Sequence, residues 1–263
     1  VHSSYTFTVG SAVFDEPNLL SAAGLVPVLE LTEQAGLSRL IDEHVDLPST
    51  RVKSGAVNPA GKLTSIIAAM ICGADSIDDA SELRAGGTPR VFDEVYAPST
   101  LGIFLREFTF GHANQLAAVA REHLVALAQR VSLLPGAEQR VNVDIDSLLR
   151  PVYGHHKQGA SFGHAKIASR ALLRLGLSPQ ITTISTATAA PVIAEARLRS
   201  GKAASGRAAA GQIKQAIGTA RTCGATDTIL VRGDSAFGTK KVITTCVAQG
   251  AKFSLSVSRS PYR

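Results

Sequence analysis

Asp144 and Asp146 stand two residues apart in Arg140-Val141-Asn142-Val143-Asp144-Ile145-Asp146-Ser147. Val141, Val143 and Ile145 alternate with Asn142, Asp144 and Asp146. That period of two predicts a strand with one apolar face. Residues i and i+2 share a face, so both carboxylates point the same way. Two like charges this close are costly unless they are solvated or bound to a cation. A third carboxylate, Asp234, follows the short apolar run Thr228 to Val231 within Arg232-Gly233-Asp234-Ser235. A carboxylate leaving the end of a buried strand is a common place for a ligand or metal site. More often it is a turn former or a helix cap. Asp146 and Asp234 are 88 residues apart, so only the fold could join them.

The charge distribution bears on whether these carboxylates hold a ligand. The chain carries a formal +6, which conceals a division. Residues 147–263 hold 17 Lys and Arg against three acids, Glu195, Asp227 and Asp234, a balance of +14; residues 1–146 stand at −8. Lys and Arg gain free energy by displacing condensed counterions from phosphates, so a half this basic suggests a polyanion partner. A solvated basic surface balanced by an acidic half explains the charge equally well. Acids within the basic half make chemical sense if they hold Mg²⁺ or Mn²⁺ against a phosphate.

Between the carboxylates lies Arg150-Pro151-Val152-Tyr153-Gly154-His155-His156-Lys157-Gln158-Gly159-Ala160-Ser161-Phe162-Gly163-His164. It reads as a hairpin contacting a DNA backbone through Lys157 and Gln158, or as a surface hairpin with no ligand. A zinc site from His155, His156 and His164 is disfavoured, because adjacent His residues point apart on a strand. Gly201-Lys202-Ala203-Ala204-Ser205-Gly206-Arg207 superficially resembles a phosphate loop. It lacks G-x-x-x-x-G-K-[ST] and is expected to follow a helix, so the NTPase reading is excluded. Cys223 and Cys246 have no local Cys-His arrangement and read as small buried residues.

These residues need elements to hold them. The first part reads as helical after a β-like start at Tyr5 to Val9. Leu25 to Glu33 and Leu37 to His44 are separated by Gly36, and residues 46–57 form a loop. Asn58-Pro59 caps a helix whose apolar body is Leu63, Ile66, Ile67, Met70 and Ile71. Asp75 to Asp79 opens a short helix, Ser99-Thr100 caps another through Leu105, and a longer one spans Gly111 to Val131. After Pro135-Gly136 the period changes. Strands are predicted at Val141 to Ile145, Phe162 to Leu173, Gln180 to Ser185, Thr228 to Val231 and Lys252 to Val257. Helices are predicted at Ala189 to Arg199, Ala208 to Arg221 and Lys240 to Gln249. The order is an α/β layout opening with three strands. Residues 1–136 and 137–263 are expected to be a helical region, accessory or DNA-binding, and an α/β core.

The three cysteines are too few and scattered for a disulfide framework, so a reducing cytoplasm is the default. No window approaches ~18 consecutive apolar residues, so no membrane partner is expected.

Val143-Asp144-Ile145-Asp146-Ser147, Arg150-Pro151-Val152-Tyr153-Gly154, Lys157-Gln158-Gly159-Ala160-Ser161-Phe162-Gly163 and Val231-Arg232-Gly233-Asp234-Ser235-Ala236-Phe237-Gly238 together resemble the IS1380 family of DDE transposases. Ala74-Asp75-Ser76-Ile77-Asp78-Asp79 and Pro98-Ser99-Thr100-Leu101-Gly102 fit that family too. The resemblance covers essentially the whole chain. It implies a ribonuclease-H-like core opening β-β-β-α-β-α-β. It also implies metal-dependent DNA strand cleavage and strand transfer with two Mg²⁺ or Mn²⁺ ions. The expected partners are double-stranded DNA, as element terminal inverted repeats and target, and further copies of the chain. The expected location is the bacterial cytoplasm, at the nucleoid. Asp234 takes the place of the second catalytic aspartate. Asp146 is preferred to Asp144 for the first, because the family places Ser or Thr just after it; Asp144 stays a candidate metal neighbour. Arg150, Lys157, Gln158, Lys166, Arg232, Lys240 and Lys241 are the candidate DNA contacts.

One departure is decisive for the expected activity. A DDE site needs a third acid, a Glu on a later helix, and this sequence has no Asp or Glu after Asp234. The expectation is an N-terminal portion of a transposase, inactive alone. The alternatives are a non-catalytic DNA-binding or inhibitory partner, and an unrelated metal-dependent nuclease built on Asp144, Asp146 and Asp234.

Overall fold

The computed structural model describes residues 16–47, 55–92, 94–154, 157–167 and 170–257. The β-like start at Tyr5 to Val9 lies outside them, as do His155 and His156. Five helices come first: α1 (Leu25–Gln34), α2 (Leu37–His44), α3 (Pro59–Ile71), α4 (Pro98–Arg106) and α5 (Phe110–Ala128). The cap of α3 forms as its sequence implies. Asn58 Oδ1 accepts from the Gly61 N–H at 3.1 Å, and Pro59 opens the first turn, where no donor is lost. The acidic run at 75–79 leads into a tighter 3-10 turn at Asp78–Arg84 instead of an α-helix.

Two sheets follow. The larger has the order β6-β5-β1-β7-β8, from β1 (Arg140–Ser147), β5 (Gln180–Ser185), β6 (Val192–Arg197), β7 (Thr228–Gly233) and β8 (Lys252–Leu255). The β1–β5 and β5–β6 pairs are antiparallel; β1–β7 and β7–β8 are parallel. The smaller sheet has the order β2-β4-β3 and is inserted between β1 and β5. Its strands are β2 (Arg150–Pro151), β3 (Ser161–Ile167) and β4 (Arg170–Leu177). Pro151 sits on the edge strand, where a missing N–H costs no ladder bond.

Helices α6 (Ala209–Thr222) and α7 (Lys240–Ala248) complete the layer. The alternation in β1 buries Val141, Val143 and Ile145 against Ile213 and Ile217 of α6, in a cluster that also takes Val231, Phe237, Val242 and Cys246. Full burial of each such side chain contributes roughly 1.5–3 kcal/mol. Asn142, Asp144 and Asp146 therefore lie on the other face of the sheet.

Two expectations are corrected. Ala189 to Arg199 is not a helix; Val192–Arg197 is strand β6, paired with β5 through a bulge at Thr182/Thr183. Ala, Glu and Arg carry helix propensity, yet propensity is a weak prior against a waiting sheet edge. Phe162 to Leu173 is not one core strand. It divides between β3 and β4, in the register Phe162↔Leu175 to Ile167↔Arg170, outside the larger sheet. The intervening Ala168-Ser169 has no Gly or Pro to mark a reversal.

The helical region is joined to the larger sheet through α5. Its Val119 packs in a cluster with α2 and α3, and its Leu124 packs in the sheet core. Arg121 Nη1 bonds Glu195 Oε2 of β6 at 2.9 Å, with the Glu195 side chain only 4% exposed.

Candidate active site

β1 and β7 are adjacent and parallel, in the register Asp144↔Arg232. Arg232 donates from Nε and Nη2 to the two oxygens of Asp144 at 2.6 and 2.7 Å. The Asp144 carboxylate beside it pushes the Arg232 pKa up, so the guanidinium stays charged. Asp144 is thus neutralised within the sheet, and both of its oxygens are engaged. The pair is 37% and 46% exposed, so Asp144→Asn is expected to cost under about 1 kcal/mol in a urea unfolding titration.

Two residues further along each chain segment, Asp146 is still within β1, opposite Ile181 of β5, while Asp234 directly follows the last residue of β7; both are exposed. Asp146 Oδ1 accepts from the Ser147 N–H at 2.7 Å. Asp234 Oδ1 accepts from the Ala236 N–H at 2.9 Å, and its carbonyl accepts from Phe237, closing a turn. So Asp234 is a turn former, and the turn uses only one of its two carboxylate oxygens. The turn itself is anchored by Phe237, which is 1% exposed in the sheet core. Gly233 is needed here because a Cβ would press on Ile145, Phe237 and Leu255.

Behind Asp146 lies a group of residues that spacing could not reveal. Arg199 is 7% exposed and makes no ion pair with an acid among the described residues. It donates instead to the carbonyls of Ser178, Ala204, Ser205 and Arg207 and to Ser178 Oγ. Burial, then the neighbouring Arg197 and Arg207, push its pKa down. This clamp fixes the 200–207 loop, whose Ser205 Oγ accepts from Ser147 Oγ at 2.9 Å. Gln180 Nε2 also donates to the Ser205 carbonyl, at 2.6 Å. The stretch that superficially resembles a phosphate loop is therefore a brace against the end of β1. Apart from nearby Arg199, its partners Gln180 and Ser147 lie 25 and 58 residues away in sequence, which no local pattern encodes.

The candidate phosphate contacts spread along the same edge. Arg150, Lys157, Gln158, Lys240 and Lys241 are exposed, the two lysines in the first turn of α7. Arg232 is committed to Asp144. Lys166 lies on β3, with its side chain outside the described residues. His164 is described and exposed, but the other two members of the disfavoured zinc set are not described. Burial pushes the thiols of Cys223 and Cys246 up, which keeps them protonated and poor nucleophiles.

Among the described residues no group of three His, Cys, Asp or Glu side chains could hold a metal ion. The donor chemistry still fits a hard cation. Asp146 and Asp234 are solvated carboxylates, and Mg²⁺ is usually held by one or two carboxylates with waters and phosphate oxygens completing its shell.

The family described as Transposase DDE domain group 1 matches residues 11–260. The chain belongs to the DDE transposases. In this DDE transposase the matched span takes in both the helical region and the two sheets. No curated protein matches it. A solved structure, a pre-cleavage Mos1 transpososome, is 10% identical with a TM-score of 0.24, a likeness too loose to assign the fold. That likeness covers 79% of this chain, and this chain spans 61% of the Mos1 chain. No helix among the described residues of the transposase is long and apolar enough to cross a membrane.

Proposed function

We propose that the domain takes part in metal-dependent cleavage and transfer of DNA strands, as an IS1380-type transposase with a ribonuclease-H-like core. One observation carries this reading: Asp146, near the end of β1, and Asp234, directly after β7, stand at the carboxyl ends of neighbouring parallel strands in a sheet ordered β6-β5-β1-β7-β8. The five strands and two helices of that layer run β-β-β-α-β-α-β in chain order. Asp146 and Asp234 would hold the divalent ions, Mg²⁺ or Mn²⁺. Asp144, tied to Arg232, positions the strand ends instead of binding metal. The ions, when bound, activate the attacking oxygen and stabilise the leaving one.

The protein residues supply placement and field. Lys240, Lys241, Lys157 and Arg150 offer cations to the DNA backbone without reading its sequence. The Arg199 brace and the Phe237 anchor hold the two carboxylates so that little reorganisation is needed when a phosphate arrives. These 263 residues contain no Asp or Glu after Asp234, so they provide two of the three carboxylates that the resemblance implies. We infer DNA binding without robust cleavage from these residues alone. The engagement of both Asp144 oxygens by Arg232 favours the second reading, a non-catalytic DNA-binding or inhibitory partner, since it withholds a third carboxylate from the edge.

The test is cleavage and binding with terminal-repeat DNA in Mg²⁺ and Mn²⁺. Binding should weaken linearly in log[salt], and Lys240→Ala should flatten that slope by about 0.9 for each phosphate that the lysine neutralises. Salt-insensitive binding, or none, would remove the DNA reading. Robust Asp234-dependent cleavage would overturn the inference of inactivity.

A further inference from the structure

The inserted sheet leaves a cleft behind the end of β1 that the proposed function does not use. Its volume is 440 Å³, and Ser147, Phe162, His164, Leu173, Lys202 and Ser205 line it. Ser147 directly follows Asp146. Volumes of ~300–1,000 Å³ are typical of small-ligand sites. Phe162 is 61% exposed and Leu173 is 55% exposed, although both are large and apolar. Antiparallel pairing puts His164 opposite Leu173 and Phe162 opposite Leu175, so the ring and the imidazole share one face of the ribbon.

The ribbon is pinned, not loose. Gly163, Gly176 and Gly201 meet backbone to backbone; a Cβ at Gly163 would strike the Gly201 carbonyl, and one at Gly201 would strike the carbonyls of Ser161 and Gly176. The Lys202 N–H donates to Ser161 Oγ at 2.9 Å. Arg199 holds the other side of the same loop. The strand that carries the Phe162 ring is thereby fixed against the loop that carries Lys202, and both residues line the cleft.

Charge identifies the occupant. Residues 148–178 carry Arg150, Lys157, Lys166, Arg170 and Arg174 and no Asp or Glu. No carboxylate lines the cleft among the described residues. Within the cleft, the exposed ring of Phe162 shares the lining with Lys202 and with no acid, which complements a π-faced base joined to a phosphate. We propose that this cleft holds one unpaired nucleotide of a bound DNA strand, with Phe162 stacking on the base and Lys202 on its phosphate. The proposal rests on the DNA-processing reading and adds a single-strand subsite to it.

Fluorescence anisotropy on the whole chain tests it, with a labelled oligothymidine and an abasic strand of the same length as probes. The base-bearing strand is expected to bind tighter. Phe162→Ala should weaken its binding by about tenfold and change abasic binding less than about twofold. Phe162→Trp should restore the difference. Lys202→Ala should weaken both strands alike and flatten the salt slope by about 0.7. A melting curve for Phe162→Ala matching the parent excludes unfolding as the cause. Equal binding of the two strands by the parent, or equal weakening of both in Phe162→Ala, would overturn the subsite while leaving DNA binding intact. Failure of the parent to bind any DNA would overturn both the subsite and the proposed function.

Discussion

Asp234→Asn is expected to weaken Mn²⁺ binding at least tenfold, read from the free Mn²⁺ signal in an electron paramagnetic resonance titration. Any Mn²⁺-dependent strand cleavage should fall by about a hundredfold, the scale for removing a charged metal ligand. The substitution separates two roles of one side chain. Asp234 Oδ1 accepts from Ala236 at 2.9 Å, and an Asn oxygen can accept in its place. The turn should therefore survive, with stability changed by less than about 0.5 kcal/mol. Asp146→Asn should behave similarly, since it too uses one oxygen on a backbone N–H. Asp144→Asn should leave Mn²⁺ affinity within about twofold, because Arg232 already occupies that carboxylate. A fall in Mn²⁺ binding in Asp144→Asn but not in Asp234→Asn would reverse the assignment.

Arg121→Ala is expected to be the most destabilising surface-region change, at about 3–5 kcal/mol by urea unfolding. Glu195 is 4% exposed on β6, and Arg121 is its ion-pair partner. Removing the cation leaves the Glu195 carboxylate, only 4% exposed, without its ion-pair partner. Domains of ordinary stability hold only about 5–15 kcal/mol in total, so the change is a large fraction. Replacing both partners together, Arg121→Met with Glu195→Leu, should return stability to within about 1 kcal/mol, because neither charge then needs solvation. A single-variant cost under about 1 kcal/mol would show that Glu195 rehydrates and that α5 is less firmly seated on β6.

The elements whose apolar residues repeat at a clear period were legible in the sequence. The Val141, Val143 and Ile145 alternation marked β1 and placed Asp144 and Asp146 on its opposite face. The Ile213, Ala216, Ile217 and Ala220 stripe marked α6, and all four are buried. Asn58-Pro59 marked the start of α3. β6 was missed because its composition favours a helix and its strand state depends on β5. The ribbon was merged into one strand because the sequence between β3 and β4 carries no Gly or Pro.

The basic half also changed meaning in three dimensions. Arg199 counts toward the +14 but is buried among carbonyls, and Arg232 is neutralised by Asp144. Lys62, one of the bases of the acidic half, is 4% exposed and donates to the Gly55 carbonyl at 2.7 Å. Burial pushes its pKa down, although Glu94 opposes this. None of these three cations is free for a phosphate.

What the sequence by itself determined is the local grammar: a period-two strand bearing two acids, a short strand ending in Asp234, the helical stripes, and the charge asymmetry. These follow from side-chain alternation and helical repeat, which neighbours along the chain enforce. The tertiary structure alone decided that β1 and β7 lie side by side, bringing residues 88 apart to one sheet edge. It also decided that Asp144 is engaged by Arg232, that Arg199 braces the loop behind Asp146, and that Phe162 faces a cleft. Each of these depends on which strand pairs with which and on what that pairing takes out of water. Pairing and burial are properties of contacts distant in sequence, and no window of adjacent residues contains them.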